Sequence, residues 1–182
     1  MYTYLSLLRG INVSGQKSIK MLDLKALYET LQFTNVTTYI QSGNVVFKST
    51  ETNTQKIAEL ISNAIKTQYH FDVPVTVITA TNLYDIAHNN TYVINNNHSI
   101  ETLHVTLLNT SPTIDKLTLL SAGNYGADAY IINNTTVYLH CPSGYGTTKL
   151  SNNYLEAKLK TSATTRNWKT ILKLLEIVNA TP

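Results

Sequence analysis

Residues 36–48 read VTTYIQSGNVVFK, two runs of Val, Ile, Tyr, Phe and Thr broken by the polar group Gln41, Ser42, Gly43 and Asn44. β-Branched and aromatic residues suit a pleated strand, and a Gly-Asn break between two such runs predicts a hairpin. Upstream, Leu24, Leu27, Tyr28 and Leu31 recur at i, i+3, i+4 and i+7, which predicts a helix over residues 21–31. Downstream, Ile57, Leu60, Ile61, Ala64 and Ile65 form one stripe of a helix over 54–69. Apolar strands at 2–8 and 73–78 flank these helices. Residues 1–80 therefore predict the order β-α-β-β-α-β, a ferredoxin-like unit.

A short helix is expected near 83–87, and the Asn-rich stretch 89–99 reads as a linker inside a connection spanning 81–103. The order then recurs. A strand at 104–109 precedes a helix with Ser111 as its cap and Pro112 at its first position. Strands at 130–133 and 137–141 and a helix at 148–160 follow. No fourth strand is expected in this half. A helix at 167–178, with Trp168, Ile171, Leu172 and Leu175 on its apolar face, closes the chain instead. The expectation is an α+β protein of two ferredoxin-like halves, 1–80 and 104–182, the second lacking its last strand and ending in a helix.

Composition narrows the function classes. Of 182 residues, 43% are hydrophobic and only 14% charged, so polarity rests on Thr, Asn and Ser, and a packed core is expected rather than disorder. A net charge of +3 is too mild for the dense basic surface of a typical nucleic-acid protein. The single Cys141 offers no internal disulfide. No apolar run approaches the roughly 18 residues of a membrane span. A cytoplasmic protein without a membrane partner is expected.

In a ferredoxin-like sheet of order 4-1-3-2, the end of the first strand, the hairpin turn and the start of the fourth strand share one edge. That order would set Arg9 and Asn12 beside Gln41, Ser42 and Asn44, with His70 and Asp72 arriving from the loop before Val73. The helix near Met21 would begin at the same edge and present its N-terminal N–H groups to an anion. Turn geometry alone also explains Gly43 with Asn44. Further along, SGYGTTK at 143–149 is a glycine-rich loop without P-loop spacing, in which backbone N–H groups and Lys149 offer a phosphate contact. Arg166 and Asn167 sit with Thr164, Thr165 and Trp168 at the mouth of the last helix, where capping and packing explain the threonines and the indole. Six basic residues and one Glu lie between Lys149 and Lys173. His140 and Cys141 are adjacent on a strand and so point to opposite faces, which rules out a nucleophile pair. No metal-ligand spacing and no cofactor motif is present. The strand NVVFK carries one aromatic and lacks the RNA-binding fingerprint.

These motifs resemble the bacterial family catalogued as domain-of-unknown-function family 1697. The resemblance rests on RGINVSG at 9–15, TYIQSGNVVF at 38–47, TKLSN at 148–152 and ATTRNWKTILKL at 163–174, and it spans essentially the whole chain. It implies two ferredoxin-like α+β halves and no established activity, substrate or cofactor. It also raises Arg9, Asn12, Gln41, Ser42, Asn44, Arg166 and Asn167 as candidates, while Ser14 stands where the family more often has Gly. The expected function is binding of an anionic, phosphate-bearing small molecule or nucleotide at the edge formed by RGIN and QSGN. Arg9 and Arg166 would bind charge, Asn12, Gln41 and Asn44 would orient, Ser42 would donate and Lys149 would add a phosphate contact. The alternatives are nucleic-acid binding through the basic C-terminal region, or a protein-interaction module. No catalytic residue is assigned.

Overall fold

The computed structural model describes residues 1–94 and 98–181, so residues 95–97 of the expected linker lie outside the described part. The chain divides into two compact units, Met1–Asp85 with Lys173–Pro182, and Ile86–Leu172. It is an α+β protein with two four-stranded antiparallel sheets and, among the described residues, seven α-helices.

The first sheet is built from β1 (Tyr2–Leu8), β2 (Thr34–Tyr39), β3 (Asn44–Ser49) and β4 (Val75–Thr79), in the order β2-β3-β1-β4. Helices α1 (Met21–Thr30) and α2 (Thr54–Tyr69) follow β1 and β3. Strand alternation turns Tyr4 and Leu8 of β1 and Val45 and Phe47 of β3 toward Leu24, Tyr28, Ile57, Ile61 and Ile65, all buried in one core. Aromatic rings fill its middle: Phe47 lies 4.5 Å from Phe33 and 5.3 Å edge-on from Tyr28. Each such pair contributes about 0.5–1.5 kcal/mol beyond area burial. Ser6 places a hydroxyl on this face, and that hydroxyl forms a 2.7 Å hydrogen bond with the Tyr28 hydroxyl. The start of α2 is fixed by Asn53, whose side chain accepts from the N–H groups of Gln55 and Lys56, and its end by His70 in a left-handed conformation.

After α3 (Ala80–His88) and α4 (Thr91–Ile94), the second sheet is formed by β5 (Leu103–Leu108), β6 (Ala129–Asn133), β7 (Thr136–His140) and β8 (Ala163–Asn167), in the order β6-β7-β5-β8. Helices α5 (Ile114–Ser121) and α6 (Asn152–Leu159) bury Leu120, Leu155 and Leu159 with Leu108, Val137 and Leu139 on one sheet face. The chain ends in α7 (Trp168–Ala180).

The expected absence of a fourth strand in this half is wrong. Strand β8 pairs with β5 from Leu108↔Ala163 to His104↔Asn167. Its sequence ATTRN has no hydrophobic alternation, and an edge strand needs little, since β-branched threonines suit the pleat. Two helix starts also move. Helix α5 has Thr113, not Ser111, at its cap position, and α6 starts at Asn152 rather than 148, with the Ser151 side chain accepting from the Tyr154 N–H. The Thr148 hydroxyl is engaged elsewhere, donating to Asp128 at 2.6 Å.

The two halves close their first strands in the same way. The Leu8 N–H donates to the Gly43 carbonyl at 2.8 Å and the Arg9 N–H to that of Pro74 at 2.9 Å. In the second half the Leu108 N–H donates to the Thr135 carbonyl at 2.8 Å and the Asn109 N–H to that of Ser162 at 3.0 Å. One strand end is thereby held to the hairpin turn on one side and to the chain entering the fourth strand on the other.

Candidate functional site

The backbone bonds of Leu8 and Arg9 bring the RGIN loop, the QSGN turn and the entry to β4 to one edge of the first sheet. The loop after β1 folds on itself through a bridge between Val13 and Gln16, with Ser14 and Gly15 both left-handed at φ 50° and 74°. That is the geometry in which glycine is least strained, and a serine occupies its first position. Asn12 clasps the loop to the turn: its amide donates to the carbonyls of Ile19 at 2.9 Å and Gln41 at 2.8 Å, and its Oδ1 accepts from the Ile19 N–H at 2.8 Å. Asn44 is fully buried, and its amide donates to the Tyr39 carbonyl and to Ser42 Oγ, each at 3.0 Å. Gly43 has φ +75°, and a Cβ there would stand 2.7 Å from Leu8 Cβ and 2.8 Å from Ile11 Cδ1. Turn and loop are therefore in van der Waals contact, with no room for a side chain between them.

Asn12 and Asn44 thus direct their side chains into the fold and brace the edge. Gln41 is exposed and Ser42 and Arg9 are half-buried. Lys17 adds a second cation, its Nζ donating to the Asp72 carbonyl at 2.6 Å, and the Asp72 carboxylate pairs with Lys66 at 2.9 Å. Helix α1 starts at this edge from Lys20, and no side chain caps it. Its first-turn N–H groups and the positive end of its dipole favour an anion by about 0.3–2 kcal/mol, although Asp23 in the same turn opposes part of that.

The candidates in the second unit have structural duties. The exposed Lys149 donates to the Asn124 carbonyl at 3.2 Å. Asn167 caps α7, its Oδ1 accepting from the Thr170 N–H at 2.8 Å. Arg166, on β8, donates from Nη1 to the Thr165 carbonyl at 2.9 Å, and loss of water pulls its guanidinium down to about 10. The basic run is largely engaged within the protein: Lys158 lies over the Tyr154 ring, Lys169 pairs with Glu101 at 2.7 Å and Lys173 with Glu176 at 2.6 Å.

A polar cluster on the helix-facing side of the second sheet went unrecognised in the sequence. His104 and Thr106 of β5, Thr165 of β8, Asn152 at the start of α6 and Tyr145 of the glycine-rich loop meet there through ring stacking and hydroxyl bonds. Its signal was present as polar residues at alternate positions of the otherwise apolar strand LHVTLL. His140, at the end of β7, lies 4.0 Å from the His98 ring. Burial and the His98 charge hold its pKa below the ordinary value, against a smaller opposing effect of Asp128. Among the described residues no group of three or more His, Cys, Asp or Glu is placed to hold a metal, and no helix is long and apolar enough to cross a membrane. An open cleft of about 440 Å³, lined by Lys25, Asn35, Thr37, Ile177 and Thr181 among others, lies at the opposite end of β2 from the QSGN turn.

None of the curated proteins matches this chain. Among solved structures, the conserved bacterial protein SP0830 from Streptococcus pneumoniae is similar over 97% of this chain and 98% of its own, with a TM-score of 0.77 and 18% identity, a likeness of fold alone. A family model described as a protein of unknown function, DUF1697, matches residues 1–138. The chain belongs to that family.

Proposed function

We propose that the edge formed by RGIN and QSGN binds a small anionic molecule through a phosphate group. The observation that carries this reading is the start of α1 from Lys20 without a side-chain cap, on the edge where Arg9 and Lys17 stand and Asn12 clasps loop to turn. Arg9 supplies the charge and the bidentate donors, because the helix dipole alone is worth too little for useful affinity. Gln41 and Ser42 offer polar contacts at the rim. Asn12 and Asn44 hold the frame, so the site is pre-ordered and loses little entropy on binding. We assign no role at this edge to Arg166, Asn167 or Lys149, which lie in the other unit. We infer further that each half is a ferredoxin-like unit and that the two arose by duplication, which the common strand order and the paired backbone bonds at Leu8 and Leu108 support.

The test is calorimetric titration at low salt with inorganic phosphate, pyrophosphate and a nucleoside monophosphate, on the wild type and on Arg9→Ala. Binding to the wild type, lost in a variant whose Tm is nearly unchanged, is the expected result. No binding of any of the three by the wild type ends the reading, and a large fall in Tm for Arg9→Ala marks the arginine as structural.

A further inference from the structure

We propose that the second half contains a ring-binding site floored by His104, Thr106 and Thr165, filled here by the phenol of Tyr145, and that it takes a small planar hydroxyaromatic molecule in that ring's place. The Tyr145 ring stacks on the His104 imidazole with centroids 4.9 Å apart and planes 26° from parallel. Its hydroxyl donates to Thr165 Oγ1 at 3.0 Å. Thr165 Oγ1 in turn donates to Asn152 Oδ1 at 2.6 Å and lies 2.6 Å from Thr106 Oγ1. A hydroxyl has one proton and two lone pairs. With its proton committed to Asn152, Thr165 accepts from both Tyr145 and Thr106. The position held by the Tyr145 hydroxyl therefore calls for a donor, which a phenol supplies and a hydrocarbon ring does not.

The ring comes from a loop rather than from the sheet. Tyr145 lies in a short 3-10 turn between Gly144, at φ +90°, and Gly146, and a Cβ at either glycine would meet nothing within 4 Å. Nothing is packed against either glycine in the direction of a side chain.

The first half supplies an internal comparison. Because Leu8 and Leu108 make equivalent bonds, His104 stands where Tyr4 stands, Thr106 where Ser6 stands, and Thr165 where Val77 stands. There the aromatic ring belongs to the strand itself, packed 5.9 Å from Phe47 with its hydroxyl donating to the Glu51 carbonyl at 2.8 Å. In the second half the strand carries an imidazole and the ring arrives on a glycine-flanked loop. His104 is 8% exposed, and its buried Nδ1 has no hydrogen-bond partner among the described residues. Burial, against a smaller opposing effect of the Thr102 backbone, holds its pKa below the ordinary value and so favours the neutral ring.

The experiment uses the full chain with p-cresol and toluene as probes, followed by the His104 imidazole signals in NMR and by titration. Wild type binds p-cresol with a shift of the His104 signals, and toluene binds about tenfold more weakly, the ratio expected for one hydrogen bond of roughly 1–1.5 kcal/mol. Tyr145→Ala binds p-cresol more tightly than wild type, and Thr165→Val erases the preference over toluene. Binding by Tyr145→Ala alone overturns the proposal, since any cavity left by truncation would show it. Equal affinity for the two probes, or shifts that bypass His104, overturn it as well. If Tyr145→Ala does not fold, Tyr145→Phe keeps the stack and removes the competing hydroxyl. It should bind p-cresol more tightly than wild type, and no change overturns the proposal. No probe carries phosphate, so the outcome is independent of the first-half site.

Discussion

Gly43→Ala tests the contact on which the first-half edge depends. Two separate costs are written in the structure. The residue sits at φ +75°, where a Cβ approaches the following carbonyl, and leaving the left-handed region to glycine avoids roughly 1–2 kcal/mol. The new methyl would also lie 2.7 Å from Leu8 Cβ and 2.8 Å and 3.1 Å from Ile11 Cδ1 and Cγ1. Leu8 and Ile11 are 0% and 1% exposed, so neither has free space to retreat into, and forcing a methyl into such a site costs about 1–3 kcal/mol. Gly10→Ala separates the two effects. Its φ is +73°, but a Cβ there meets nothing within 4 Å, so only the backbone cost of roughly 1–2 kcal/mol applies. The expected losses are about 2–5 kcal/mol for Gly43→Ala and about 1–2 for Gly10→Ala, measured by urea unfolding followed by far-UV circular dichroism. At roughly 2–4 °C per kcal/mol for a chain of this length, the thermal midpoints should fall by about 4–20 °C and 2–8 °C. Equal losses in the two variants would refute the reasoning, because they would mean that the QSGN turn is not pressed against the RGIN loop.

Asn12→Ala removes three hydrogen bonds and strands the backbone of the buried Ile19, so a loss of about 1–3 kcal/mol is expected, with faster amide exchange at Ile19; an unchanged Tm and unchanged exchange would show that the clasp is dispensable. Burial depresses the folded-state pKa of His104, and of His140 with help from His98, below the ordinary 6.5. The unfolded chain then binds more protons, so their contribution is complete above pH 6.5 and is lost as pH falls through 6.5 toward the folded values. Urea midpoints should decline with acid in that window, and less steeply in His104→Phe; identical slopes would show that His104 is not buried as a neutral ring.

The legible part of the fold is the part written in periodicity. Leu24, Leu27 and Tyr28, and Ile57, Ile61 and Ile65, announce buried helix faces because a period of 3.6 brings them together whatever the surroundings. The meeting of the loop after β1 with the QSGN turn was equally accessible, since strand order decides which loops are neighbours before any side chain is placed. The roles of Asn12 and Asn44 were not accessible. Whether an amide faces a ligand or a carbonyl depends on backbone angles such as the φ of 55° at Asn12, and nothing in residue identity settles them. Strand β8 was hidden because ATTRN is polar and runs straight into the strong helical pattern from Trp168. The His104 cluster was hidden because it needs the register Thr106↔Thr165 and Tyr145, a residue of a distant loop.

The two halves share one backbone plan and differ in what fills it, and the energetics of that difference bears on function. In the first half Tyr4 and Val77 present an aromatic ring and an apolar side chain to the core, with burial favourable by about 1.5–3 kcal/mol for a large apolar side chain. In the second, His104 and Thr165 take those two positions, while Thr106 stands where the first half already buries the Ser6 hydroxyl. Burying a hydroxyl costs about 1–3 kcal/mol, and its hydrogen bonds return a net of about 1 kcal/mol each, so bonded hydroxyls roughly break even where an apolar filling would be favourable, and the His104 Nδ1 adds a buried atom with no partner among the described residues. At the position of Val77 and Thr165, stability therefore prefers the first half's solution. The site proposed above gives the polar filling a use, because its hydroxyls can hold a ring that carries a donor.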